Sequence, residues 1–179
     1  MSNTPDSSRP DSSRPDHDSL RITINVDENV ASPLDEKKLQ QAVAAAAADQ
    51  GYHRGESGIR VTDDAGIHQI NRDHLGHDYP TDVISFAYHA DKPHVDGELV
   101  VSVDTATERA SELGWPVAHE LSLYVVHGAL HITGMDDHDP DDRAAMRNAE
   151  QRIMIQIGIN DIVRYGADET GPSIAEESA

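Results

Sequence analysis

The segment HGALHITGMDDHD, His127 to Asp139, holds three histidines and three aspartates in thirteen residues, directly after the apolar run LSLYVV. Imidazole nitrogens and carboxylate oxygens so closely spaced are the donor types that bind a divalent cation. His127 and His131 are four apart. On a helix that spacing puts both rings on one face, one turn apart, and two such nitrogens can reach one ion at about 2.0–2.1 Å. Gly134 ends the helix and lets the chain turn back, so that the following MDDH can bring a third donor from another direction. Three protein ligands with one open position is the pattern of a catalytic zinc site rather than a structural one. In the H-E-x-x-H peptidase motif a glutamate next to the first histidine is the general base. Here that position is Gly128. A peptidase therefore lacks its base, whereas a bound metal would still bring a water to a pKa near 7 and polarise an anionic oxygen. His53, His68, His74, His77, His89 and His94 form no comparable set and are expected at the surface. His119, two turns before His127, is a weaker candidate for supporting a ligand from behind.

These side chains need a scaffold, and periodicity predicts one. LRITINVD (20–27) alternates with period two and is β-branched, as a strand is. The Ala-rich stretch from Pro33 to Gly51 predicts a helix, SGIRVTD (57–63) a strand, and 65–76 a short helix closing on Gly76. TDVISFAY (81–88) predicts a strand with Val83 and Ser85 on one face and Ile84 and Phe86 on the other. Residues 97–114 read as a strand and then a helix beginning near Asp104. PVAHELSLYVVHGALHITG (116–134) predicts a long helix, and 139–158 another, with Asp139 as cap, Pro140 in its first turn and Gly158 at its end. The order indicates an α+β single domain, with a mixed β-sheet of about four strands, packed helices and a zinc site at the end of a central helix.

Composition bounds the chemistry. Of 179 residues none is cysteine, so disulfides and thiolate zinc sites are excluded. No apolar stretch nears the ~18 residues of a membrane span, and the N-terminus lacks the basic and apolar regions of a secretory signal, so a soluble cytoplasmic protein is expected. Residues 1–18, with their tandem DSSRP, and 167–179 are expected to be disordered tails around a folded domain at 19–166. The net charge of −19 favours solubility and repels phosphate backbones. A nucleic-acid substrate would need a local basic or metal-bearing groove. One Phe, one Trp and five Tyr argue against a stacking platform of the single-strand-binding kind.

HGALHITGMDDH resembles the H-G-x-L-H-x-x-G-x-D-H signature of the YbeY endoribonucleases. NRDHLGHDYPTDVISFAY is similar to that family's N-x-x-x-x-x-x-D-x-P-T-D-V-L-S-F segment, DGELVVSVDTA to its G-D-I-x-I-S strand, and MRNAEQRIMIQIG to its M-x-x-x-E-x-x-I-L-x-x-L-G helix. The resemblance covers about 60–160 and implies a single-strand-specific, metal-dependent endoribonuclease that binds one Zn2+. It further implies a role in rRNA processing at the 3′ end of small-subunit rRNA and in ribosome quality control. The implied partners are single-stranded RNA, rRNA and the ribosomal small subunit, with no DNA and no membrane. Carried over, the metal ligands are His127, His131 and His138. The family spaces its second and third histidines six apart; here they are seven apart. Counted without a gap, Asp137 takes the third slot; His138 is favoured because a loop after glycine can absorb one residue. Leu75 stands where many members have an arginine that would meet the substrate phosphate, and Arg72, on the same helical face, is the candidate substitute. Asp82 is a candidate base or a cap at the strand entry; Thr81 and Ser85 offer hydroxyls to phosphate or ribose. Phe86 reads as core or as a contact for a base, and Asp136 as a support for a ligand imidazole. Two alternatives remain: a zinc peptidase-like hydrolase, and a non-catalytic ribosome-assembly factor with structural zinc.

Overall fold

The structure, a computed structural model, describes residues 18–31 and 34–162. The expected tails, Asp18 aside, and Pro33 lie outside the described residues. The chain adopts the expected α+β single domain. In order, the elements are β1 (Leu20–Val26), α1 (Glu36–Asp49), β2 (Arg54–Thr62), α2 (Asp64–Ile70), β3 (Val83–Asp91), β4 (His94–Ser102), α3 (Val103–Leu113), α4 (Val117–Ile132) and α5 (Pro140–Gln156). The sheet order is β1-β2-β4-β3, with β1, β2 and β4 parallel and β3 antiparallel to β4 at the edge.

Alternation along the strands decides which face is dry. Ile59 and Val61 of β2, Val95, Leu99 and Val101 of β4, and Val83 of β3 point into one core with α1, α4 and α5. Arg21, Thr23, Asn25, Glu56, Arg60 and Glu98 point the other way and are exposed. Sheets with parallel strands are usually covered on both faces. Here α2 and the turn after it cover only part of the second face, over a small cluster of Ile67, Ile84 and Val100.

Helix α4 is apolar almost all round, and a helix of that kind belongs in the interior. It packs against α1, α3, α5, β3 and β4. Gly128 sets its approach to the sheet: a Cβ there would lie 2.6 Å from Leu99 Cδ2 and 2.9 Å from Val83 Cγ2. The position next to His127 is thus closed to any side chain. Beyond the loop that follows α4, Asp139 caps α5 by accepting from the Asp141 and Asp142 amides, with Pro140 in the first turn as expected.

Two local features depart from the expected elements. Helix α3 starts one residue earlier than the Asp104 reading, because the Ser102 hydroxyl accepts from the Thr105 amide at 3.2 Å. The helix expected over 65–76 divides into α2 and one π-helical turn, Asn71–Leu75. There the buried Asn71 amide donates to the Tyr79 carbonyl at 2.8 Å. That bond ties the turn to the loop that delivers Thr81 and Asp82 to the head of β3.

Candidate metal centre

The last turns of α4 put His127 and His131 side by side, as their spacing requires, with side chains 19 % and 18 % exposed. Their Nε2 atoms are 3.0 Å apart. What stands behind each ring fixes its proton. His127 Nδ1 lies 2.6 Å from Glu150 Oε1, and the Glu150 side chain is wholly buried. His131 Nδ1 lies 3.0 Å from the Met135 carbonyl oxygen. A carboxylate and a carbonyl only accept, so each Nδ1 carries the hydrogen and each Nε2 presents a lone pair. Two lone pairs at that distance repel unless a proton or cation lies between them.

A third donor faces the pair. Gly134, at φ +98°, ends α4 in the left-handed region that favours glycine and turns the chain back. Asp137 Oδ2 then lies 3.7 Å from His127 Nε2, and Asp137 Oδ1 3.7 Å from His131 Nε2. His127, His131 and Asp137 form a group able to hold a metal ion. His138 stands outside that group, although it was the favoured third ligand. Its side chain is 70 % exposed and its Nδ1 bonds Asp136. The Asp136 carboxylate also accepts from the Asp137 amide at 2.8 Å and the His138 amide at 3.3 Å. This local turn holds Asp137 inward and His138 outward. A second group that could hold an ion, Asp136, Asp137 and His138, shares Asp137, so both candidates for the third ligand stand in this loop. Asp136, expected behind a ligand ring, bonds the ring of His138 and the two loop amides.

Electrostatics favour the donor forms. Burial, reinforced by the neighbouring His127, holds the His131 imidazole below its ordinary range, so it is neutral at pH 7. His138 is shifted the opposite way by its hydrogen bond to Asp136. A neutral His131 needs to lose no proton before it binds a cation.

The other expected residues divide. Asp82 is half-buried at the head of β3, where its carboxylate accepts from the Val83 amide at 2.8 Å and the Thr81 hydroxyl at 3.0 Å. Desolvation raises its pKa, and the field of His127 partly opposes the rise. Its main-chain carbonyl accepts from the Ser102 amide at 2.9 Å. Its carboxylate thus caps the entry of β3. Ser85 donates to the Gly128 carbonyl at 3.1 Å, stitching β3 to α4 one residue from His127. Arg72 is exposed in the π turn, 3.5 Å from Asp73. His119 bonds Asp161 at 2.7 Å, away from the imidazole pair. The supporting role considered for it belongs to Glu150. That residue could have been found: on α5 the buried positions Met146, Ala149, Glu150, Ile153 and Met154 form one stripe, and a single acid sits in it. A lone carboxyl on an apolar face needs a partner inside.

The donor set fits a cation of zinc type, with two imidazoles held in the right tautomer and one carboxylate. Fold and site together define a single-domain α+β protein with a group able to hold a metal ion at the C-terminal end of its central helix. The chain belongs to the Endoribonuclease YbeY family, whose profile matches residues 21–158. It is 58 % identical to an endoribonuclease YbeY of Rhodopirellula baltica over 124 residues, 68 % of this chain and 64 % of that one. The chain thus spans about two-thirds of that relative's length. An endoribonuclease YbeY of Chloroflexus aurantiacus is 36 % identical over 149 residues, 77 % of this chain and 96 % of that one. Among solved structures, a Thermotoga maritima protein determined in solution shares the fold, with a TM-score of 0.53 and 19 % identity over 86 % of this chain and 97 % of that one. No helix among the described residues is long and apolar enough to cross a membrane.

Proposed function

We propose that the chain is a metal-dependent endoribonuclease that cuts single-stranded RNA, with one Zn2+ held by His127, His131 and Asp137. The observation that supports it most is the convergence of two tautomer-fixed imidazoles and one carboxylate in a family of endoribonucleases. A zinc ion held there supplies a Lewis acid that acidifies a water and draws charge from a phosphoryl oxygen. The protein's own groups do the rest. Glu150 keeps the proton on His127 Nδ1, and the Met135 carbonyl keeps the one on His131. Asp82, raised by burial, is the group placed to accept a proton beside the site and return it to a leaving oxygen. Arg72 offers an exposed guanidinium to an incoming phosphate. The Ser85 hydroxyl, bonded to Gly128, fixes the wall of the cleft. The positive charge of the site lies against a chain of net −19, so it is a local attraction in a repelling field. In this reading the cell uses the enzyme in the cytoplasm on rRNA, at the 3′ end of the small-subunit RNA and in ribosome quality control.

The test is cleavage of an end-labelled single-stranded RNA by the purified chain, with and without chelator, beside His127→Ala. The expected result is internal cutting that chelation abolishes, zinc restores and the variant lacks, while duplex RNA and DNA survive. Equal cutting after chelation and in the variant overturns the reading. A cyclic phosphate on the products identifies attack by the ribose 2′-hydroxyl; its absence identifies water.

A further inference from the structure

On the second face of the sheet, which among the described residues α2 and the turn after it only partly cover, lies a cavity that the metal centre does not use. Its volume is about 480 Å³, within the range of small-ligand sites. Phe86, Tyr88 and His74 line one side; Glu98, Arg60 and Asn25 line the floor and the far side. We propose that this cavity receives a guanine base of the RNA strand, held by the Glu98 carboxylate against the aromatic side chains of β3. The inference rests on the endoribonuclease reading and names what that enzyme reads.

The aromatic wall is built by a β-bulge. Phe86 pairs with Glu98 and Ala87 with Gly97, but His89 pairs with Asp96, so Tyr88 is the extra residue. A bulge re-aims the side chain it carries. Tyr88 is left 63 % exposed, yet its hydroxyl donates to Glu98 Oε2 at 2.7 Å. That bond pushes the phenol up to about 12, so it stays a donor throughout the neutral range. Phe86 is half-buried, with His74 edge-on at 5.9 Å between ring centroids. An exposed ring such as Tyr88 is what an unstacked RNA base stacks on.

The polar groups select the base. Gly58 faces Glu98 across the β2–β4 pair, and a Cβ there would come within 3.2 Å of Glu98 Cγ. The glycine keeps the floor flat. Arg60 gives its Nε and Nη2 hydrogens to Asp27, so the charges of that pair cancel and Nη1 is left to donate. Among the described residues the Glu98 carboxylate is therefore the lining charge without an ion-pair partner, and beyond the Tyr88 hydroxyl it can accept further donors. Guanine presents two adjacent donors, N1–H and the N2 amino group, to match one carboxylate, and its O6 can accept from Arg60 or Asn25. Adenine and cytosine present one amino group flanked by a ring acceptor, and uracil one N–H between two carbonyls. Each sets a lone pair against the carboxylate.

The cavity and the metal centre lie on opposite faces of β3. Ser85 reaches the Gly128 carbonyl beside His127, and the next residue, Phe86, lines the cavity from the other face of β3. In the sheet β3 is an edge strand. A single strand of RNA at the metal centre can round that edge and seat a neighbouring base.

The full chain is titrated calorimetrically with GMP, IMP and AMP, and its cut sites are mapped on a mixed-sequence RNA and on the same RNA with inosine for guanosine. Wild type is expected to prefer GMP over AMP by roughly tenfold or more, the scale of hydrogen bonds to a charged group. IMP, which lacks the amino group, falls between. Cuts should lie at a fixed offset from guanosines and lose that offset in inosine RNA. Glu98→Gln, isosteric and on an exposed residue, should erase both preferences, and Gly58→Ala should weaken GMP by crowding the floor. His127→Ala should stop cutting and leave GMP binding intact. Equal binding of GMP and AMP, cut sites indifferent to guanosine, or an unchanged Glu98→Gln variant overturns the inference and leaves the endoribonuclease standing. Guanine-selective binding without any RNA cleavage overturns the endoribonuclease reading instead.

Discussion

Two histidine–carboxylate pairs flank the turn at Gly134, and burial separates them. His127 and Glu150 meet inside, where the acid is wholly enclosed and the ring is 19 % exposed. His138 and Asp136 meet outside, with side chains 70 % and 56 % exposed. In the first pair the carboxylate fixes the ring's proton and aims its lone pair at His131 and Asp137. In the second it braces a loop in water, where such pairs are worth little. Packing holds the first pair still and leaves the second to solvent, and the expectation is that only the first fixes an imidazole for a metal.

The largest contrast is expected from the residues on either side of that boundary. His127→Ala should bring the metal content of the purified protein to background by elemental analysis. Asp137→Ala should cost at least the 10- to 100-fold in metal affinity known for loss of a mere supporting group. His138→Ala should change affinity by less than about threefold, as expected of an exposed pair. A reversal of the last two moves the third ligand to His138 and breaks the comparison. Next in size is Glu150→Gln. Its amide nitrogen can present a donor to His127 Nδ1 and so favour the tautomer with hydrogen on Nε2, which cannot bind. A loss of about 10- to 100-fold in zinc affinity is expected. Melting curves with and without zinc separate this from misfolding: the variant should lose the zinc-dependent rise and not the metal-free transition.

The seam beneath the buried pair gives a smaller effect. Gly128→Ala drives a methyl to within 2.6 Å of Leu99 and 2.9 Å of Val83. Overpacking of this kind costs about 1–3 kcal/mol. At roughly 2–4 °C per kcal/mol for a chain of this size, the melting temperature should fall by several degrees. An unchanged melting temperature means that the helix can shift from the sheet at no cost, and the rigid platform for His127 is then lost.

Much of this was legible in the sequence. The i, i+4 pair on an apolar helix, the glycine that ends it and the Asp139–Pro140 start of α5 each depend on neighbours in the chain, and each is where periodicity and capping placed it. The third donor was not fixed in the same way. Residues 135–138 follow a left-handed glycine, and whether Asp137 or His138 turns inward depends on the Asp136 turn. Glu150 is remote from His127 in sequence and was visible only as an acid in an apolar stripe. The π turn depends on the Asn71–Tyr79 bond, a contact across a loop. The open second face of the sheet follows from how little of it α2 covers, which strand alternation alone does not reveal.

Helix α5 also supplies the scale between the two pairs. Two residues beyond Glu150, Arg152 turns outward and grips Asp49 at the end of α1, with Nε 2.9 Å from Oδ1 and Nη2 2.8 Å from Oδ2. Asp49 is 14 % exposed and Arg152 58 %. The guanidinium holds the Asp49 carboxyl below its ordinary range. A carboxyl whose pKa is lower folded than unfolded stabilises the fold above its unfolded pKa, and that contribution fades as pH falls through the folded value. Asp49→Asn should therefore cost no more than about 1 kcal/mol near pH 7, since half of the pair is in water. The gap between wild type and variant in denaturant melts should close as the pH falls below about 4, where the unfolded carboxyl begins to protonate. A gap that persists at pH 2 places the effect in packing rather than charge.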